Sequence, residues 1–147
     1  MTRLAITLAL LLGTSTVFAN CTFELEVGDS LEFSVKTIDV GADCAEVTID
    51  LTHTGSLPAS AMGHNWVLSL DADLQDVATA GISAGLDGDY VPAGDARVIA
   101  ATKIIGGGES TSITFSVEGL SAAETYTYFC SFPGHWAVMK GSFRVAG

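Results

Sequence analysis

Cys130, His135 and Met139 fall within ten residues of one another, in Phe129-Cys130-Ser131-Phe132-Pro133-Gly134-His135-Trp136-Ala137-Val138-Met139. A thiolate, an imidazole and a thioether so spaced can converge on one point from a single loop, and the Pro-Gly pair supplies the turn. A second segment, Met62-Gly63-His64-Asn65-Trp66, offers another imidazole. Adding His64 completes two histidines and a cysteine with a weak axial methionine, the donor set of a blue-copper electron-transfer site. The soft sulfur ligands suit reduced copper, and the imidazoles suit both oxidation states.

Each residue taken singly has a plainer role: Cys130 as a small buried hydrophobe, Met139 as a core filler, His135 as a turn histidine. Their joint spacing, in a chain with only three histidines, would make those roles a coincidence. Structural zinc prefers a better fourth ligand than a thioether. A Cys/His nucleophilic pair would want an orienting Asn or Asp and an oxyanion pocket, and nothing around Cys130 suggests one. The chain therefore reads as a carrier and not as an enzyme. A second copper centre would need more imidazoles than the one left over, His53.

Alternating apolar residues supply the elements that must position these groups. Phe23, Leu25 and Val27 share one face, as do Leu31, Phe33 and Val35, then Val47, Ile49 and Leu51. His64 to Leu70 is a more continuous apolar run. Ile113, Phe115 and Val117 alternate again, Tyr126, Tyr128 and Cys130 share one parity, and residues 142–145 offer a last strand. Leu74, Val77, Ala78 and Ile82 instead fall at helical spacing, with Asp71 or Asp73 as a possible cap and Gly85 as a stop. Seven or eight strands and one short helix predict an all-β Greek-key barrel or sandwich with a helical insertion.

The chain has 147 residues, 17 acidic against 6 basic side chains, and a net charge of −11. Such acidity excludes nucleic acid and anionic membranes as partners. At 48% apolar residues the chain is too hydrophobic to be a disordered acidic segment. Met1-Thr2-Arg3, the apolar run Leu4 to Leu12 and the small-residue ending Val17-Phe18-Ala19 predict a secretory signal peptide, residues 1–19, cleaved after Ala19. That run is too short for a membrane span. One domain, residues 20–147, follows. With Arg3 removed, five basic residues face 17 acidic ones, a net charge of −12. Export permits disulfides. Three cysteines allow three pairings; the metal-like surroundings of Cys130 favour Cys21 with Cys44, a closure that would stabilise by about 3.4 kcal/mol.

The segments FCSFPGHWAVMKG and LPASAMGHNWVLS resemble the two copper-ligand segments of azurins. VGDSLEF, LTHTGSLP, AGLDGDY, RVIAATKIIGGGE and the Cys21/Cys44 spacing are also azurin-like, so the resemblance covers nearly the whole exported chain. Azurins are cupredoxins, small Greek-key β proteins that shuttle single electrons in the bacterial periplasm. The resemblance implies one type 1 copper ion, with His64, Cys130 and His135 as the main ligands. Met139 and the carbonyl of Gly63 would take the two axial sides. It further implies that Asn65 ties the ligand segments together, that the N–H of Phe132 donates to the Cys130 sulfur, and that Cys21 and Cys44 form the family disulfide. His53 would be a non-ligand near the site and Trp66 the buried tryptophan.

The resemblance also implies that redox proteins such as c-type cytochromes or periplasmic reductases would dock around His135, at an apolar patch of Leu31, Met62, Phe132, Pro133, Gly134, Ala137 and Val138. Two positions depart from the pattern. Trp136 stands where azurins commonly carry a smaller residue, open to readings as local packing or as a partner contact. Thr54 replaces a proline often found after the leftover histidine.

Overall fold

The computed structural model describes residues 21–147, so the signal segment predicted at 1–19 lies outside the described residues. Eight strands form two sheets. In the three-stranded sheet, β1 (Thr22–Val27) runs parallel to β3 (Glu46–His53), and β3 pairs antiparallel with β6 (Ser110–Ser116). The five-stranded sheet has the order β2 (Thr37–Val40), β8 (Lys140–Val145), β7 (Tyr126–Phe129), β4 (Val67–Leu70), β5 (Ala100–Ala101). Only β2 and β8 run parallel there. The sheets face each other as a sandwich and are not closed into a barrel.

Period-two patterning decides which faces meet. Leu25 and Val27 of β1 and Val47, Ile49 and Leu51 of β3 are buried against Ile38, Leu68, Tyr126, Tyr128 and Phe143 of the other sheet. Trp66 lies at the centre, stacked on Tyr128 with centroids 5.6 Å apart. Its Nε1 has no hydrogen-bond partner, a cost of about 1–3 kcal/mol that the burial of so large an apolar ring offsets.

All four residues of β7 are buried, because its outer face is covered as well. A helix, α2 (Leu74–Gly81), lays Leu74, Val77 and Ala78 on Val67 and Phe129. Trp136 packs against this second cluster, which supports the reading as local packing.

Several elements differ from the sequence expectation. Residues 31–35 alternate without forming a strand: Phe33 is buried, but the backbone of Ser34 bonds Glu26 and its hydroxyl accepts the Glu26 N–H. A side chain thus stands in for ladder bonding, and the regular strand comes later, at Thr37–Val40. The predicted helix is shorter than its apolar spacing, since α2 ends at Gly81 and Ile82 is 52% exposed in a following 3-10 turn. Neither aspartate caps it by a side-chain bond; Asp71 instead accepts the Thr127 hydroxyl at 2.7 Å. Cys21 and Cys44 are disulfide-bonded, tying the start of β1 to the loop before β3.

Candidate metal centre

Two segments carry the chemistry-bearing residues to one end of the sandwich. After β7 the chain turns at Phe132-Pro133-Gly134-His135. His135 N–H donates to Phe132 O at 2.9 Å, and Gly134 has φ 86°. Proline second and a left-handed glycine third make a type II turn, which brings His135 back over Cys130. His135 O then accepts from Met139 N–H at 2.8 Å, and Met139 O from Cys130 N–H at 3.1 Å. The loop is thus closed by its own backbone.

The other imidazole arrives from a one-turn helix, α1 (Ala59–Met62), which ends at Gly63. A β-carbon at Gly63 would run into the Ala59 carbonyl and Ile104, so only glycine fits there. His64 is held by reciprocal backbone bonds to Ile105.

The ligand atoms of His64, Cys130 and His135 all lie within 4.8 Å of one another. Cys130 Sγ is 3.7 Å from His64 Nδ1 and 3.6 Å from His135 Nδ1, with the Gly63 carbonyl 3.8 Å away. His64 Nε2 is 2.8 Å from Gly28 O. A carbonyl only accepts, so Nε2 carries the proton and Nδ1 presents its lone pair to the sulfur. Cys130, His64 and Met139 are fully buried, and His135 is 6% exposed.

Burial dominates the electrostatics. It pushes the Cys130 thiol up to about 12, against the backbone N–H groups of Asn65 and Phe132 that favour the thiolate. Burial, helped by nearby His64, holds His135 down to about 4. Burial also lowers His64, opposed by its bond to Gly28. Two neutral imidazoles present ring nitrogens to a sulfur whose ionisation burial opposes and a bound cation would favour. A soft thiolate with two imidazoles fits copper.

A family model described as copper binding proteins, plastocyanin/azurin family, matches residues 19–146. The chain belongs to the plastocyanin/azurin family. An azurin from Achromobacter denitrificans is 50% identical over 143 residues, covering 95% of this chain and 96% of that protein. Azurin-2 from Alcaligenes xylosoxydans xylosoxydans is 54% identical over 127 residues, covering 86% and 98%. Among solved structures, the azurin Az-iso2 from Methylomonas sp. strain J superposes with a TM-score of 0.84 at 49% identity, over 88% of this chain and all of that one. As a member of this family with a His64, Cys130 and His135 group, the chain is a blue copper electron carrier.

The structure also brings in residues that the sequence reading passed over. Gly28, which has no side chain to mark it, supplies the acceptor that orients His64. Ser131 and Asp89 complete the bonding of Asn65: Ser131 N–H donates to Asn65 Oδ1, and Asn65 Nδ2 donates to Ser131 Oγ and to Asp89 O. Only the place of Asn65 and Ser131 immediately after His64 and Cys130 signals this. His53 is fully buried and stacked on His64, donating from Nε2 to Met62 O and accepting Gly55 N–H at Nδ1. It is a satisfied core histidine beside the site. Thr54 uses the N–H that a proline would lack, donating to Val27 O at 2.8 Å.

Proposed function

We propose that this carrier works in the periplasm, and that His64, Cys130 and His135, together with Met139 and the Gly63 carbonyl, would hold one copper ion. The convergence of three ligand atoms from two segments distant in sequence is the observation that supports it most. Bound copper supplies a one-electron couple between Cu(I) and Cu(II). The protein makes and breaks no substrate bond, so it is a carrier and not a catalyst.

Its residues do three things. Gly28 and the Pro133-Gly134 turn fix the two imidazoles, the N–H groups of Asn65 and Phe132 hold charge on the Cys130 sulfur, and the buried surroundings exclude water. A site so fixed on both sides of the sequence has little to rearrange when an electron arrives.

His135 lies under a rim of exposed Pro133, Gly134, Ala137 and Val138, the last 61% exposed. Electrons pass through this face, and redox proteins dock on its small apolar surface in short-lived complexes. Among the described residues no helix is long and apolar enough to cross a membrane. Periplasmic residence rests on the signal-like first 19 residues and on the Cys21–Cys44 disulfide.

An absorption spectrum of the copper-loaded protein tests the reading. Intense visible absorption from thiolate-to-copper charge transfer, bleached reversibly by reductant, is expected. A colourless complex with readily exchangeable metal would point to copper delivery instead. Cys130→Ser abolishes the colour; an equally blue Cys130→Ser protein would remove Cys130 from the ligand set.

A further inference from the structure

Asp89 and Tyr90 are the two non-glycine residues with positive φ among the described residues, at 56° and 51°. Such strain persists only where the surroundings over-determine it. Here they do. The Asp89 carbonyl accepts from Asn65 Nδ2 at 2.8 Å and from Ser131 Oγ at 3.4 Å. Its carboxylate accepts the Ile104 N–H at 2.8 Å, one residue before Ile105, which is bonded to His64. The Tyr90 ring meets Phe132 edge-on at 5.3 Å, and Phe132 lies 4.5 Å from the His135 ring. The Tyr90 carbonyl approaches the end of α2 so closely that a β-carbon at Gly81 would collide with it.

These contacts share a target. The two backbone donors to the Cys130 sulfur belong to Asn65 and Phe132. Asp89 holds the first of those residues, and Tyr90 holds the second. Hydrogen bonds to a ligating sulfur set its electron density.

Resting on the copper-site reading above, we propose that Asp89 and Tyr90 are a positioning pair that fixes both N–H donors of the Cys130 thiolate from the segment that follows α2. The left-handed backbone is what lets consecutive residues reach both ligand segments. The bent pair presents the Asp89 carbonyl to one ligand loop while the Tyr90 ring lies on the other.

The test compares Asp89→Asn, Asp89→Gly, Asp89→Ala, Tyr90→Phe and Tyr90→Ala by two readouts, with near-ultraviolet circular dichroism to establish folding. The first is the position of the thiolate charge-transfer band after copper loading. The second is the rate at which an aromatic disulfide reagent labels Cys130 in the metal-free protein. Asp89→Asn keeps the acceptor and tolerates the left-handed conformation, and Tyr90→Phe keeps the ring, so both match the parent protein. Asp89→Ala and Tyr90→Ala shift the band and label about tenfold faster, the scale of effect for losing a partner that supports a ligand.

Folded alanine variants with the parent band and labelling rate would overturn the proposal. Should Asp89→Ala not fold, Asp89→Gly decides. It removes the Ile104 bond without strain and must label faster, and parent-like labelling overturns the proposal equally. A parent protein that never turns blue defeats the copper reading alone, because labelling of the metal-free protein still judges the pair.

Discussion

Asn65 and Ser131 are joined by two hydrogen bonds of 2.9 and 2.8 Å, although 66 residues separate them. Each directly follows a proposed ligand, His64 or Cys130, so this side-chain clamp sets the distance between the two ligand segments. Both residues are fully buried, which means that neither can turn to water if the other is lost.

Asn65→Leu therefore strands the Ser131 N–H in a dry environment. An orphaned buried polar group costs about 1–3 kcal/mol, and with the Asp89 carbonyl left only its longer Ser131 contact, the metal-free protein loses about 3 kcal/mol. Denaturant unfolding measures this, and a loss under about 0.5 kcal/mol would show that the clamp is dispensable.

The disulfide has the opposite profile, affecting stability but not colour. Strand β1 rises about 3.3 Å per residue, which puts Cys21 roughly 20 Å from Gly28 and its bond to His64. Replacing both Cys21 and Cys44 by serine lowers unfolding free energy by about 3 kcal/mol. The charge-transfer band of the copper-loaded variant stays where it was. A moved band would reveal coupling along β1.

Acid weakens the metal-free protein through its site. Burial, with His64 nearby, lowers His135 from 6.5 to about 4, so between those values the unfolded chain binds more protons than the folded one. Stability thus rises with pH through this window. It is fully present above the unfolded value and is lost as pH falls toward 4. Melting temperatures of the metal-free protein from pH 8 to 4 trace this fall, and His135→Gln flattens it. An identical slope in His135→Gln would assign the acid sensitivity elsewhere.

Salt tests where the charge acts. Residues 54–70 and 125–139 contain every proposed ligand and none of the 22 charged side chains of the predicted exported chain. Electron exchange through the His135 face then changes less than about threefold across physiological ionic strengths. Stopped-flow rates with a small redox protein measure it, and a steep dependence would mean that the acidic surface steers partners.

The grouping of His64, Cys130 and His135 was legible in the sequence because these donors are chemically distinctive and two of them share one loop. Cys130, the Pro133-Gly134 turn, His135 and Met139 are local in sequence, so spacing and turn chemistry carried the inference. Strand alternation served as well where one face was buried, as in Leu25, Val27, Ile49 and Leu51. It misled at residues 31–35, where a serine side chain replaced ladder bonds, and at Ile82, where the helix ended before its apolar spacing did.

What the sequence determined by itself was the donor chemistry, the β class and the charge-free ligand segments, all properties of residue type and short spacing. Only the tertiary structure decided which His64 nitrogen faces the sulfur, because that depends on Gly28, 36 residues away. It likewise decided that Trp136 packs against the cluster that α2 forms with Val67 and Phe129, and that Asp89 and Tyr90 reach Asn65 and Phe132. Side-chain periodicity cannot encode such contacts. A backbone carbonyl has no residue-specific signature, and the conformation that aims it is fixed by packing between distant segments.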